Sequence, residues 1–209
     1  MDMKDMSVAA LSELTASALP APGGGSISAL AGAFGASLIC MAARLTIGKK
    51  GYEDAWDDMR ALLKKAEPIR EALLEGIEED ADAFGAVMAA LSMRSVSGEE
   101  KAARRDATQK AVTQAAAIPL TAAEKAAEMM ELSELAVRIG NKNAVTDALV
   151  AAILCSAAVR GAVLNVLVNL DSLEDQAAAT EMRARCASLR AEVTEREAEI
   201  FALYEGEKP

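Results

Sequence analysis

ISALAGAFGASLICMAA, Ile27 to Ala43, runs 17 residues without a charge and is built mainly from Ala, Gly, Ser and Leu. A bilayer-spanning helix wants about 20 strongly apolar residues. This run is shorter and richer in small side chains, so it reads as a helix buried in a bundle. Before it stands Pro20-Ala-Pro22-Gly23-Gly24-Gly25-Ser26, with Ser26 a natural N-cap, and after it come Gly48 and Gly51. These signals predict a helix over 27–47.

On the N-terminal side, Met3 to Leu19 predicts a first helix, closed by Pro20 and Pro22. On the C-terminal side, Tyr52 to Met93 predicts a long third helix. There Leu62, Ile69, Leu73, Ile77, Phe84, Met88 and Leu91 keep one apolar stripe, with Pro68 as a possible kink. A fourth helix starts near Ser97 with acids in its first turn. It is expected to bend or break at Pro119, resume to Ile139 and stop at Gly140. Asn143 is expected to cap a fifth helix over 144–169, whose stretch Ala148 to Val159 is again uncharged. An amphipathic sixth helix over 173–204 precedes a frayed tail, 205–209. The expectation is an all-α fold, a single domain over 1–209 with five to six long, mostly antiparallel helices. Two nearly uncharged helices in so short a chain also point to a homodimer that covers what one bundle leaves exposed.

Composition narrows the chemistry. Hydrophobic residues make up 52 % and aromatic residues only 3 %, which suits helix–helix packing over sheets. The net charge of −10 makes nucleic acid an unsuitable partner. No histidine occurs, which excludes histidine-dependent triads and zinc-protease motifs, so acid–base work falls to Asp, Glu, Lys, Tyr or Cys. Cys40, Cys155 and Cys186 are odd in number and widely spaced, which fits reduced thiols in a cytoplasm. The opening residues mix charge with apolar side chains and do not read as a signal peptide. Neither a metal nor a membrane is expected as a partner.

Four constellations carry possible chemistry. The glycines of the 20–26 loop let backbone approach a ligand, in front of the free N–H groups of a helix start. Lys49 and Lys50, with Tyr52 nearby, sit at the far end of the uncharged helix, where they either bind an anion or complement the helix dipole. In Glu78-Glu79-Asp80-Ala81-Asp82, helical phase puts Asp80 at the border of the apolar stripe and Asp82 on the opposite side. Desolvation at a core border raises a carboxyl pKa, so Asp80 is the acid–base candidate and Asp82 a solvated charge. Finally, Gly140-Asn141-Lys142-Asn143-Ala-Val-Thr-Asp147 places Asn143 and Asp147 four apart, either as ligand contacts or as helix capping. Asn165 and Asn169, also four apart on an apolar helix, need partners.

Taken in order, PAPGGGS, LTIGKK-Y, DADAFGAVM, EEKAAR and GNKNAVTDA resemble the formimidoyltetrahydrofolate cyclodeaminase and methenyltetrahydrofolate cyclohydrolase family over most of the chain. The resemblance implies a dimeric, all-helical enzyme of one-carbon folate metabolism that uses no metal or cofactor. It implies a reduced folate held at Pro22, Gly23, Gly24, Gly25 and Ser26, with Asp80 as general acid/base and Lys49 polarising or positioning the substrate. Lys50 and Arg104 would meet the glutamate tail, and Tyr52, Asn141, Asn143 and Asp147 would complete the site. The expected picture is Asp80 facing both the triglycine loop and the lysine pair across one pocket. The expected reaction converts 5-formimidoyltetrahydrofolate to 5,10-methenyltetrahydrofolate with loss of ammonia. The alternatives are cyclohydrolysis to 10-formyltetrahydrofolate, or a folate-binding or helical scaffold protein without turnover. Where the family has Leu-Pro-Lys, this chain reads Met93-Arg94-Ser95.

Overall fold

The computed structural model describes residues 2–206. Six α-helices carry it: α1 Val8–Thr15, α2 Gly24–Thr46, α3 Trp56–Leu91, α4 Gly98–Ile139, α5 Val145–Leu170 and α6 Gln176–Gly206. Three single 3-10 turns join them, at Met3–Asp5, Glu53–Ala55 and Lys142–Ala144. The described residues contain no strand. The all-α bundle expected from the periodicity is therefore present.

α2 is the central strut and packs against α3, α4 and α5. Its contact with α5 depends on missing side chains. A Cβ on Gly35 would sit 2.5 Å from Cys155 Sγ, one on Gly32 3.4 Å from Ala158 Cβ, and one on Gly161 would collide with Ser28 Oγ. Glycine thus lets the two antiparallel helices approach closely enough for Ala, Ser and Cys to fill the seam. The remaining core is one contiguous cluster in which Ile39, Met59, Leu73, Ile77, Met129 and Leu189 are fully buried. α2 and α5 are each long and apolar enough to cross a membrane, yet more than half of each apolar window is buried against other helices.

Several boundaries differ from those read in the sequence. The first predicted helix is a 3-10 turn followed by a short α1, Val8–Thr15, which starts where Ser7 caps it by accepting from the Ala10 N–H at 3.2 Å. α2 starts at Gly24 with Gly23 as its N-cap, so Ser26 lies inside the first turn and is not the cap. Asn143 does not cap α5, which starts behind Ala144 with no side-chain cap; Asn141 caps the 3-10 turn before it, its Oδ1 accepting from the Asn143 N–H at 3.0 Å. Gly140 ends α4 in an extended conformation, needed because a Cβ there would strike the Ala136 carbonyl. Among the described residues only Gly48 and Gly51 adopt positive φ, at 78° and 88°, which lets the chain reverse tightly between α2 and α3. Glu205 and Gly206 belong to α6, and the rest of the predicted tail, 207–209, lies outside the described residues.

Of the two outcomes the sequence allows at Pro119, a bend or a break, there is no break: α4 runs through it. Proline cannot pair the carbonyl of residue i−4, here Ala115. That carbonyl accepts instead from Asn169 Nδ2 on α5 at 2.9 Å. Asn169→Leu should therefore cost about 1–3 kcal/mol by stranding a buried acceptor. Adding Pro119→Ala, which restores the helical donor, should recover most of that loss in urea unfolding; equal losses in both backgrounds would refute the pairing.

Candidate active site

α3 runs antiparallel to α2 and brings Asp80 against the first turn of α2. Ser26 Oγ, fully buried, donates to Asp80 Oδ2 at 3.0 Å. The Ser26 backbone N–H also hydrogen-bonds this carboxylate. Asp80 thus sits where the unpaired N–H groups and the positive end of the α2 dipole converge. Burial nevertheless holds its carboxyl above the ordinary Asp range, and the two bonds from Ser26 only partly oppose that rise.

The triglycine loop serves Asp80 unequally. A Cβ on Gly25 would lie 2.5 Å from Asp80 Cγ, inside the carboxylate. On Gly24 it would come to 3.1 Å from Asn165 Nδ2, and on Gly23 it would meet nothing nearer than the Pro20 carbonyl oxygen at 3.7 Å. Gly25 makes room for the acid itself. Ahead of these glycines the Ala21–Pro22 peptide is cis. Asn165, missed as a site residue, borders this end through Gly24, its Nδ2 donating to the Gly161 carbonyl at 2.9 Å. The only sequence signal for it was an amide on an apolar helix.

Arg104 belongs to the same end of the bundle, where Gln109 of α4 donates to the Ser172 carbonyl just beyond α5. Its guanidinium donates to Ser95 Oγ at 3.1 Å. Arg94, in the segment that departs from the family pattern, pairs with Glu100 at 3.0 Å.

The second cluster lies at the other end of α2. Asn141 anchors it, its N–H donating to Thr46 Oγ1 at 2.9 Å and its Nδ2 to the Leu45 carbonyl at 3.0 Å. Tyr52 Oη accepts from the Lys142 N–H at 2.9 Å. These bonds join the Lys49–Tyr52 loop to the start of α5, with Asn143 exposed and Asp147 in the first helical turn. The sequence placed Lys49 and Lys50 across one pocket from Asp80. Within one chain they are not: the 23 residues of α2 separate the clusters by about 34 Å. Among the described residues no group of three or more Cys, Asp or Glu is arranged to hold a metal.

The family model described as formiminotransferase-cyclodeaminase matches residues 7–188. The chain belongs to this family. The methenyltetrahydrofolate cyclohydrolase of Methylorubrum extorquens is 41 % identical over 177 residues, 85 % of each chain. The formimidoyltransferase-cyclodeaminase of Rattus norvegicus is 31 % identical over 90 % of this chain, which spans only 35 % of that longer protein. The solved formiminotetrahydrofolate cyclodeaminase of Thermotoga maritima superposes with a TM-score of 0.86 at 28 % identity, covering 97 % of this chain and 98 % of that one.

Proposed function

We propose that this chain is an enzyme acting on the one-carbon bridge between N5 and N10 of a reduced folate, with Asp80 as the proton carrier. The observation that carries this reading is the desolvated Asp80 carboxyl at the glycine-lined start of α2. A carboxyl with a raised pKa holds a proton closer to neutrality and both donates and accepts it, which a histidine-free chain requires.

Cyclohydrolysis comes first, because the relative at 41 % identity that matches 85 % of both chains bears that name. Water adds to the methenyl carbon and Asp80 takes up its proton. The C–N5 bond then breaks as that proton passes to N5, and the hydroxyl proton leaves to solvent as the C=O forms, giving 10-formyltetrahydrofolate. The cyclodeaminase reading, first in the sequence, is supported by the Thermotoga maritima fold match. In it N10 attacks the formimidoyl carbon, its proton passes to the imine nitrogen, and Asp80 gives that nitrogen a further proton so that it leaves as ammonia and the methenyl cation forms. Both balance with water and protons alone, so no cofactor is invoked. We further propose a single cyclodeaminase-like domain that works in the cytoplasm as a homodimer, with Lys49 and the 20–26 loop as substrate contacts.

Loss of methenyl absorbance on adding the protein to 5,10-methenyltetrahydrofolate tests the first reaction, and ammonia release from 5-formimidoyltetrahydrofolate tests the second. Hydrolysis well above the spontaneous rate is expected. Ammonia release alone would favour the second reading. Neither activity, together with a folate-induced thermal shift, would leave a binding protein.

A further inference from the structure

α5 carries two side-chain amides on a helix otherwise rich in Ala, Val and Leu, and the fold accounts for only one of them. Asn169 Nδ2 reaches out of its own helix to the Ala115 carbonyl at 2.9 Å, the acceptor that Pro119 frees, and also bonds the Asn165 carbonyl at 2.8 Å. Asn165 makes no such link. Its Nδ2 donates to the Gly161 carbonyl at 2.9 Å, one turn back on α5, and that carbonyl already receives the helical N–H of Asn165. The side-chain bond joins no two elements, and Asn is a poorer helix former than Ala. The amide is half-buried all the same, so it is partly desolvated with nothing outside α5 to compensate it.

The bond to Gly161 does fix how the amide points. A carbonyl only accepts, so the amide nitrogen must face it. Oδ1 and one of the two N–H groups then have no partner among the described residues. They lie beside Gly24, where a Cβ would come 3.1 Å from Nδ2 and 3.5 Å from Oδ1. Gly24 is exposed, so solvent reaches this place. The next residue, Gly25, is the one whose Cβ would fall 2.5 Å from Asp80 Cγ. Neighbouring Cα atoms are about 3.8 Å apart, which sets amide and acid no more than about 13 Å from each other. One stands on α5 and the other on α3, with the start of α2 between them.

We propose that Asn165 recognises the N3–C4 edge of the pterin ring and so sets the position of the substrate against Asp80. This rests on the reduced-folate reading and adds to it the residue that selects the ring. In a 4-oxo pterin the C4 carbonyl accepts and the adjacent N3–H donates. A primary amide offers a donor and an acceptor side by side, as when Asn pairs with two neighbouring atoms of a base edge. The C4 carbonyl stands peri to N5, the atom that carries the one-carbon bridge. Holding that edge therefore lays the bridge across Gly24 and Gly25, toward the acid on the other flank. The same amide rejects a 4-amino ring. The amino group would face its N–H, and the unprotonated N3 would face its oxygen.

The test compares tetrahydrofolate with 4-amino-4-deoxytetrahydrofolate as competitive inhibitors of folate turnover, in the unaltered protein and in Asn165→Ala and Asn165→Leu. The unaltered protein should bind the 4-oxo compound about tenfold or more tightly than the 4-amino one. Both variants should bind the two compounds alike. Their KM should rise about 10–100-fold, with kcat changed far less than by Asp80→Asn. Leu keeps the shape of the amide beside Gly24 without its polarity, so a void left by Ala is not mistaken for lost recognition. An amide that only fills space beside Gly24 predicts a different pattern. Ala would then weaken both inhibitors by one factor, Leu would weaken neither, and the 4-oxo preference would survive in both; that result overturns the proposal. So does an unaltered protein that turns over folate without preferring either inhibitor. If the unaltered protein neither binds nor turns over a reduced folate, the folate reading itself falls and takes this one with it.

Discussion

Replacing Asp80 by Asn should lower turnover by about 10²–10⁴-fold while leaving the protein as stable as before, or more stable, at neutral pH. The side chains are nearly isosteric, and an amide oxygen still accepts from Ser26. What disappears is a carboxyl whose folded pKa is raised by burial. Below the ordinary Asp range the group is protonated in both folded and unfolded chains, so ionisation contributes nothing there. As pH rises through the folded pKa, the folded protein ionises a desolvated acid that the unfolded chain ionises freely, and stability falls. Asn removes this penalty. The Tm difference between variant and parent should thus favour the variant at pH 7–8 and shrink below about pH 4. An acid that only caps α2 predicts the reverse: lost stability and intact turnover. Thermal melts at the two pH values, run beside the folate assays, separate the cases.

The sign of that stability change also says why the acid was legible in the sequence. Helical phase alone put Asp80 at the edge of the stripe containing Ile77 and Phe84, and the fold buries it there against Ser26. Asp82, two residues on and so on the far side of the helix, is exposed, as its phase predicted. Where sequence reasoning fell short, distance was the reason. Motifs adjacent in a family pattern carry no information about length, and the 23 residues of α2 hold the glycine loop and the lysine pair at opposite ends of one rod. Pro119 was ambiguous for a related reason. The rule that proline breaks a helix concerns a lost local hydrogen bond, and here Asn169, 50 residues away in sequence, replaces it. Long-range partners of this kind have no periodic signature. The glycines were read as room for ligand, whereas Gly25 makes room for an aspartate from another helix.

That last point yields the second large effect. Gly25→Ala puts a methyl group 2.5 Å from Asp80 Cγ. Neither partner has slack: Ser26 is fully buried beside it, and Asp80 is held by the Ser26 hydroxyl and N–H. Either the carboxylate swings away or the start of α2 lifts from α3. A shift of about 1 Å in a reacting group costs on the order of 10²-fold in rate, and overpacking costs about 1–3 kcal/mol. Both losses are expected together. Gly23→Ala is the stability control, because its nearest neighbour at 3.7 Å is ordinary contact, and it should leave Tm almost unchanged. A double-mutant cycle with Asp80→Ala completes the argument. If the clash is with the carboxylate, Gly25→Ala should cost much less stability in the Asp80→Ala background, giving a coupling of about 1 kcal/mol or more. Additive losses would mean that the methyl group meets the helix backbone instead, and that Gly25 serves the close packing of α2 on α3 without positioning the acid.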